Sequence, residues 1–149
     1  MTIELKPIGV VKSEFEERVP KGWETALASI IVTERWAPAL DGVEEFSHLI
    51  ILFWLNRIPH SAIHLHIHPQ QSDDLPLVGL FATRTPARPN PIGVQVVELV
   101  ARKGNVLTVR HLDALNNSPV LDIKPYLPRG DSVVEATVPA WVENLAKRS

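Results

Sequence analysis

Three prolines within six residues govern what this chain can fold into. In Phe81-Ala-Thr-Arg-Thr-Pro-Ala-Arg-Pro-Asn-Pro-Ile-Gly93, the prolines at 86, 89 and 91 fix φ and push each preceding residue out of the helical region. The segment is therefore a stiff, extended path. Arg84, Arg88 and Asn90 are displayed from a backbone with little freedom left to lose on binding, which suits a site. The same spacing also fits a surface crossover whose prolines only stop a sheet from continuing.

A second stretch bears on that choice. Val120-Leu-Asp-Ile-Lys-Pro-Tyr126 alternates as a half-buried strand does, which places Val120, Asp122 and Lys124 on one face and Leu121 and Ile123 on the other. Opposite charges then sit side by side at a strand end, either as a solvated pair or as functional groups.

Together, residues 81–93 and Pro119-Val-Leu-Asp-Ile-Lys-Pro-Tyr-Leu-Pro128 resemble the TsaA-domain family, whose best understood members are the TrmO tRNA methyltransferases. Shorter matches at Ile8-Gly-Val-Val-Lys-Ser13 and Leu40-Asp-Gly-Val-Glu-Glu-Phe-Ser-His-Leu49 extend the likeness over most of the chain. The resemblance implies a small antiparallel barrel that dimerises and binds S-adenosylmethionine near the subunit boundary. It also implies methyl transfer to N6 of a modified adenosine (t6A) beside the anticodon of tRNA, with no DNA substrate.

By the same resemblance, Pro20, Lys21 and Gly22 in a charged loop, together with Asn56 and Arg57 after an apolar strand, would touch the cofactor. So would Arg84, Val94 and the turn Asp113, Ala114, Leu115 and Asn116. The cofactor carboxylate calls for a cation such as Arg84, Lys21 or Arg57, and its adenine for an apolar slot with backbone partners. On the acceptor side Asp122, Lys124 and Tyr126 are the catalytic candidates, while Arg88 and Asn90 would hold substrate. Relatives usually read Asp-Gly where this chain has Asn116-Asn117, and asparagine tolerates the left-handed backbone that such a turn needs.

Elements follow from pattern. Strands are expected over Ile3 to Ser13, Ala26 to Glu34, His48 to Leu55, Leu77 to Thr83, Ile92 to Arg102 and Val106 to Leu112, and near Ser132 to Val138. Gly104-Asn105 turns a hairpin, and Pro139 starts a short helix with Trp141 and Leu145 on one side. This is a mainly β chain, most simply a small antiparallel barrel with a short C-terminal helix. Its seven glycines are all isolated, with no Gly-x-Gly-x-x-Gly after a strand, so a Rossmann methyltransferase is not expected.

Size and charge fit one globular domain over residues 1–149, placed in the cytoplasm. There is no cysteine and no apolar run long enough for a membrane span, and neither a signal peptide nor the C-terminal extension of many bacterial relatives is expected. A formal charge of −2 means that any RNA contact must be local.

Four of the six histidines lie in His60-Ser-Ala-Ile-His-Leu-His-Ile-His68. In a strand, His64, His66 and His68 would share a face at steps of about 7 Å, a spacing that suits either a metal site or a polar edge strand with Ile63, Leu65 and Ile67 buried behind it. Many relatives carry arginines here. Two alternatives to a tRNA methyltransferase therefore stay open: a cofactor-binding or regulatory module, and a metal-dependent enzyme built on the histidines.

Overall fold

A computed structural model of the chain describes residues 1–148. It has eight strands: β1 (Gly9–Lys12), β2 (Leu27–Val32), β3 (His48–Trp54), β4 (His66–Ile67), β5 (Val78–Gly79), β6 (Ile92–Lys103), β7 (Val106–Arg110) and β8 (Pro119–Pro125). Two helices, α1 (Pro128–Asp131) and α2 (Ala140–Arg148), follow. No helix among the described residues is long and apolar enough to cross a membrane. The chain divides into two compact units, Met1–Arg57 with Asn90–Tyr126, and Ile58–Pro89 with the segment from Leu127 onward.

The first unit is a closed antiparallel barrel in the order β1-β2-β7-β6-β3-β8. Each strand sends alternate β-branched or large apolar side chains inward: Val11, Ile30, Val32, Leu49, Ile51, Val97, Leu107, Val109 and Val120 are fully buried. Each such side chain contributes roughly 1.5–3 kcal/mol on leaving water. Gly93 is required by packing, because a Cβ there would lie 2.5 Å from the ring of buried Phe53. The hairpin at Gly104 (φ 61°) is pinned to β2 by the Asn105 side chain, which donates to the Val32 carbonyl at 2.7 Å.

The second unit carries a two-stranded ribbon, β4 with β5, pairing His66 with Gly79 and Ile67 with Val78. Leu75, Leu80 and Pro69 are buried in it. On the last helix, Trp141 and Leu145 are both half-buried, as their spacing implies.

Several sequence expectations are corrected. The first strand begins at Gly9 rather than Ile3, and Leu77 to Thr83 is a two-residue strand followed by a 3-10 turn, Leu80–Ala82. Residues 132–138 form no strand: they are exposed and pair with nothing in a sheet, and β-branched side chains alone do not make one. The histidine run is a 3-10 turn (His60–Ala62) and a two-residue strand, with Leu65 exposed rather than buried. In β8 a bulge opposite Leu52 and Phe53 makes Leu121 the extra residue. Val120 and Ile123 therefore face the core, and Asp122 parts from Val120 to the outside with Lys124.

Candidate functional site

The strand directions bring four connections of the first unit to one end of the barrel. These are the loop after β1 (residues 13–26), Asn56-Arg57 after β3, Asn90-Pro91 before β6, and the turn 111–118 between β7 and β8. Hydrogen bonds knit three of them together. The Arg57 guanidinium donates to the Glu16 carbonyl, to the Glu16 carboxylate at 3.1 Å and to the Asn116 carbonyl at 2.7 Å. Asn116 donates from Nδ2 to Glu16 at 2.6 Å and accepts from the Ser13 amide at 3.2 Å. Accepting from the Asn116 and Arg57 side chains holds the Glu16 carboxyl below its usual range. Arg57 is thus a brace between loop and turn, with its charge spent inside the protein.

The turn has the backbone its asparagines foretell. Asn117 is left-handed at φ 66°, donates its amide to Val11 at 2.8 Å and accepts the Lys12 ammonium at 2.6 Å. His111 is left-handed too, at φ 72°, a conformation that few non-glycine residues adopt without a compensating contact. Its ring meets Trp23, with centroids 4.9 Å apart at 51°. Trp23 immediately follows Gly22 (φ 102°), so the glycine turns the loop so as to lay its aromatic on the turn.

Next to this pair stands Asp113, half-buried, with its carboxyl pushed up chiefly by burial, partly offset by Arg18 and raised further by Glu24. Neither Asp113 nor buried Ala114 makes a hydrogen bond to another described residue. The barrel end therefore offers a half-buried carboxylate, two amides without a partner among the described residues and an aromatic pair. Such a donor and acceptor set suits a ligand with a flat ring and with ammonium or hydroxyl groups.

On the outer wall, pairing register lines up the other candidates. Val94, Leu52 and Asp122 form one row across β6, β3 and β8, and Val96, Ile50 and Lys124 form the next row away from the rim. Lys124 bonds Asp122 at 2.7 Å, which raises the lysine's affinity for its proton, and the other Asp122 oxygen accepts the Ile123 amide at 2.9 Å. Tyr126 lies farther down the wall, its ring 6.4 Å from His48. Asp122, Lys124 and Tyr126 do not converge on a point: the first two succeed one another on β8, at a step of about 7 Å, and Tyr126 lies just past its end.

Lys21, Asn56 and Asn90 are exposed and their side chains bond no other described residue. Pro20 is exposed and Leu115 half-buried. Arg84 and Arg88 belong to the second unit. Arg88 is spent on the Thr83 and Thr85 carbonyls, at 2.9 and 3.1 Å, whereas Arg84 is exposed and unpartnered among the described residues. No cluster of three potential metal ligands exists among the described residues, and His68 instead donates from Nδ1 to the Leu75 carbonyl at 2.8 Å.

Sequence reasoning passed over Glu16, Trp23 and His111. The available signal was a tryptophan directly after a loop glycine and a histidine where the strand pattern breaks.

Residues 10–132 match the tRNA-methyltransferase O N-terminal domain. An S-adenosyl-L-methionine-binding protein of Archaeoglobus fulgidus is 40% identical over 133 residues, 87% of this chain and 93% of the relative. A tRNA (adenine(37)-N6)-methyltransferase of Escherichia coli is 34% identical over 147 residues, 91% of this chain but 63% of the enzyme. The crystal structure of TrmO from Pseudomonas aeruginosa superposes with a TM-score of 0.75 at 33% identity, over 92% of this chain and 62% of that one. This chain thus spans less than two thirds of the last two proteins. The closed barrel of a mainly β, non-Rossmann chain agrees with that match, and the chain belongs to the tRNA-methyltransferase O N-terminal domain family.

Proposed function

We propose that this chain is an S-adenosylmethionine-dependent methyltransferase acting on N6 of a modified adenosine (t6A) next to the anticodon of tRNA, in the cytoplasm. The observation that carries the reading is the turn at Asp113 and Ala114, with a half-buried carboxylate and two unused amides beside the Trp23 and His111 rings. This set fits the cofactor: the amides and the apolar slot of 113–116 suit its adenine, and Asp113 suits its hydroxyls or ammonium. Lys21, free of partners among the described residues, is the cation for its carboxylate. Pro20 and Gly22 shape the loop that carries Lys21. Arg57 leaves direct contact to Asn56 and holds the turn in place.

When bound, the cofactor supplies an electrophilic methyl group on a sulfonium, and the protein's task is to align the acceptor with it. Val94 and Leu52 provide an apolar wall beside Asp122, whose carboxylate accepts from the acceptor amine as positive charge grows there. Lys124 keeps that carboxylate in place and presents a cation to phosphate or to a carboxylate on the base, while Tyr126 stacks farther along. Asn90, exposed and with its side chain free among the described residues, holds substrate from the proline path. The outer wall of β6, with Ile92, Val94, Val96 and Val100 all partly open, supports pairing of two copies there.

A second reading is favoured by one observation: the Archaeoglobus relative, matched over nearly its whole length, is named only for binding the cofactor. In that reading the chain binds S-adenosylmethionine and methylates a different acceptor or none. Transfer of labelled methyl to total tRNA, followed by nucleoside analysis, decides between them. Label on an N6-methylated adenosine, lost in Asp122→Ala, supports the methyltransferase; cofactor binding by calorimetry without label supports the second reading.

A further inference from the structure

From Leu75 to Val97 the chain has two arginines and no acidic residue, although the protein as a whole is net negative. At the centre of this stretch, Phe81 is 80% exposed. An aromatic ring left in water on a flexible loop would mean little, but this one stands on a turn fixed from several sides. Its predecessor Leu80 is buried, and the Leu80 amide donates to the Leu65 carbonyl at 2.9 Å. The Thr83 hydroxyl and amide both donate to the Leu80 carbonyl, at 2.8 and 3.1 Å. Arg88 then ties the far side of the turn through the Thr83 and Thr85 carbonyls.

Having spent one nitrogen on those carbonyls, the Arg88 guanidinium still brings its charge to 5.8 Å from the Phe81 ring centroid. The ring's large exposure leaves π surface open to a second flat partner. Arg84, three residues on, keeps its charge free of any partner among the described residues.

We propose that Phe81, backed by Arg88 and flanked by Arg84, is a stacking platform for an unpaired nucleobase of single-stranded RNA, with Arg84 taking an adjacent phosphate. Two features select this ligand. A rigid exposed ring recognises a flat aromatic without paying to order itself, and base stacking on such rings is the common currency of single-strand recognition. The only charges within the 75–97 stretch are positive, which suits a polyanion. A protein partner of mixed polarity would meet an apolar rim as well, since Leu65 and Leu77 are also exposed, and that occupant is one outcome of the test. The platform deepens the tRNA reading and rests on it for the identity of the RNA, but its chemistry can be tested separately.

The probes are a short hairpin RNA with an unpaired loop and the same stem closed into a continuous duplex, titrated by fluorescence anisotropy. Phe81→Ala should weaken hairpin binding about five- to 150-fold, the range of one base–aromatic stack. Phe81→Trp should restore binding, with loop-dependent quenching of its emission, whereas Phe81→Leu should behave as Ala does. The duplex should discriminate little among the variants. Arg84→Ala should weaken binding and flatten its salt dependence by roughly 0.7 in slope. Leu matching Phe, an unchanged affinity in Phe81→Ala, no hairpin binding by the wild type, or loss of self-association in place of RNA affinity would each overturn the platform. Wild-type protein that binds the hairpin through Phe81 yet methylates no tRNA overturns the methyltransferase reading and leaves the platform standing.

Discussion

Arg57 donates to the main-chain oxygen of Asn116 at 2.7 Å across 59 residues of sequence, and with its other bonds to Glu16 it fastens the loop after β1 to the turn before β8. The residue faces solvent enough that its ion pair contributes little to folding. Its effect is on the shape of the turn. Arg57→Lys keeps a charge but loses the planar fork that reaches three acceptors. The expected result is a cofactor Kd raised about ten-fold with Tm almost unchanged, read by calorimetry and thermal melts. A large fall in Tm with normal affinity would make Arg57 an ordinary stabilising contact.

Gly93 provides a test of packing. A methyl group there would meet three carbons of the Phe53 ring at 2.5 to 2.9 Å, and Phe53 is itself 3% exposed, so the ring has nowhere to retreat. Gly93→Ala should cost roughly 1–3 kcal/mol by overpacking, seen as a lower urea midpoint at unchanged m. Gly79→Ala is the control, since nothing lies within 4 Å of its Cβ position, and it should be neutral within about 0.5 kcal/mol.

Asp113 gives a pH signature. Burial raises its pKa above the ordinary 3.8, so the folded state holds this proton more tightly than the unfolded state does. Stability contributed at this position is therefore full at low pH and declines as pH rises from 3.8 through the folded value; above that a constant penalty remains. Asp113→Asn removes the penalty. At pH 7 the variant should be at least as stable as wild type in urea, with the difference shrinking toward pH 3, while its cofactor affinity falls. Equal pH profiles for the two proteins would show that the carboxylate is not desolvated.

Much of the barrel could be read from residue order because its strands obey a period of two: Leu49, Ile51 and Phe53 announce an inward face without any knowledge of their partners. The turn at Asn117 was legible for a local reason as well, since the left-handed backbone is written into the residue type. What escaped depends on distance or on irregularity. Trp23 and His111 meet only once the barrel has closed, and neither residue signals the other. The bulge at Leu121 shifts Val120 from the face of Asp122 to the core, and alternation by itself has no means of marking an inserted residue. Residues 132–138 have strand-forming composition but stay exposed and pair with no strand.

Asp122 and Lys124 supply the last test, because stability and chemistry should separate there. The pair bonds at 2.7 Å with both side chains about half exposed, so water screens it and it contributes little to folding. Lys124 has its pKa raised by the Asp122 hydrogen bond, and that contribution is present below the lysine's unfolded pKa and lost only as pH rises through the folded value, far above neutrality. At pH 7, Asp122→Asn should therefore leave the urea midpoint nearly unchanged and keep cofactor binding, while methyl transfer to tRNA falls on the order of 100-fold or more, as befits a group that accepts from the reacting amine. Lys124→Ala should lower transfer less and raise KM for tRNA more than it lowers kcat, because the lysine steadies the carboxylate and meets substrate charge. If the two variants lose activity equally and in KM alone, the pair is a binding contact and the acceptor group lies elsewhere on the wall.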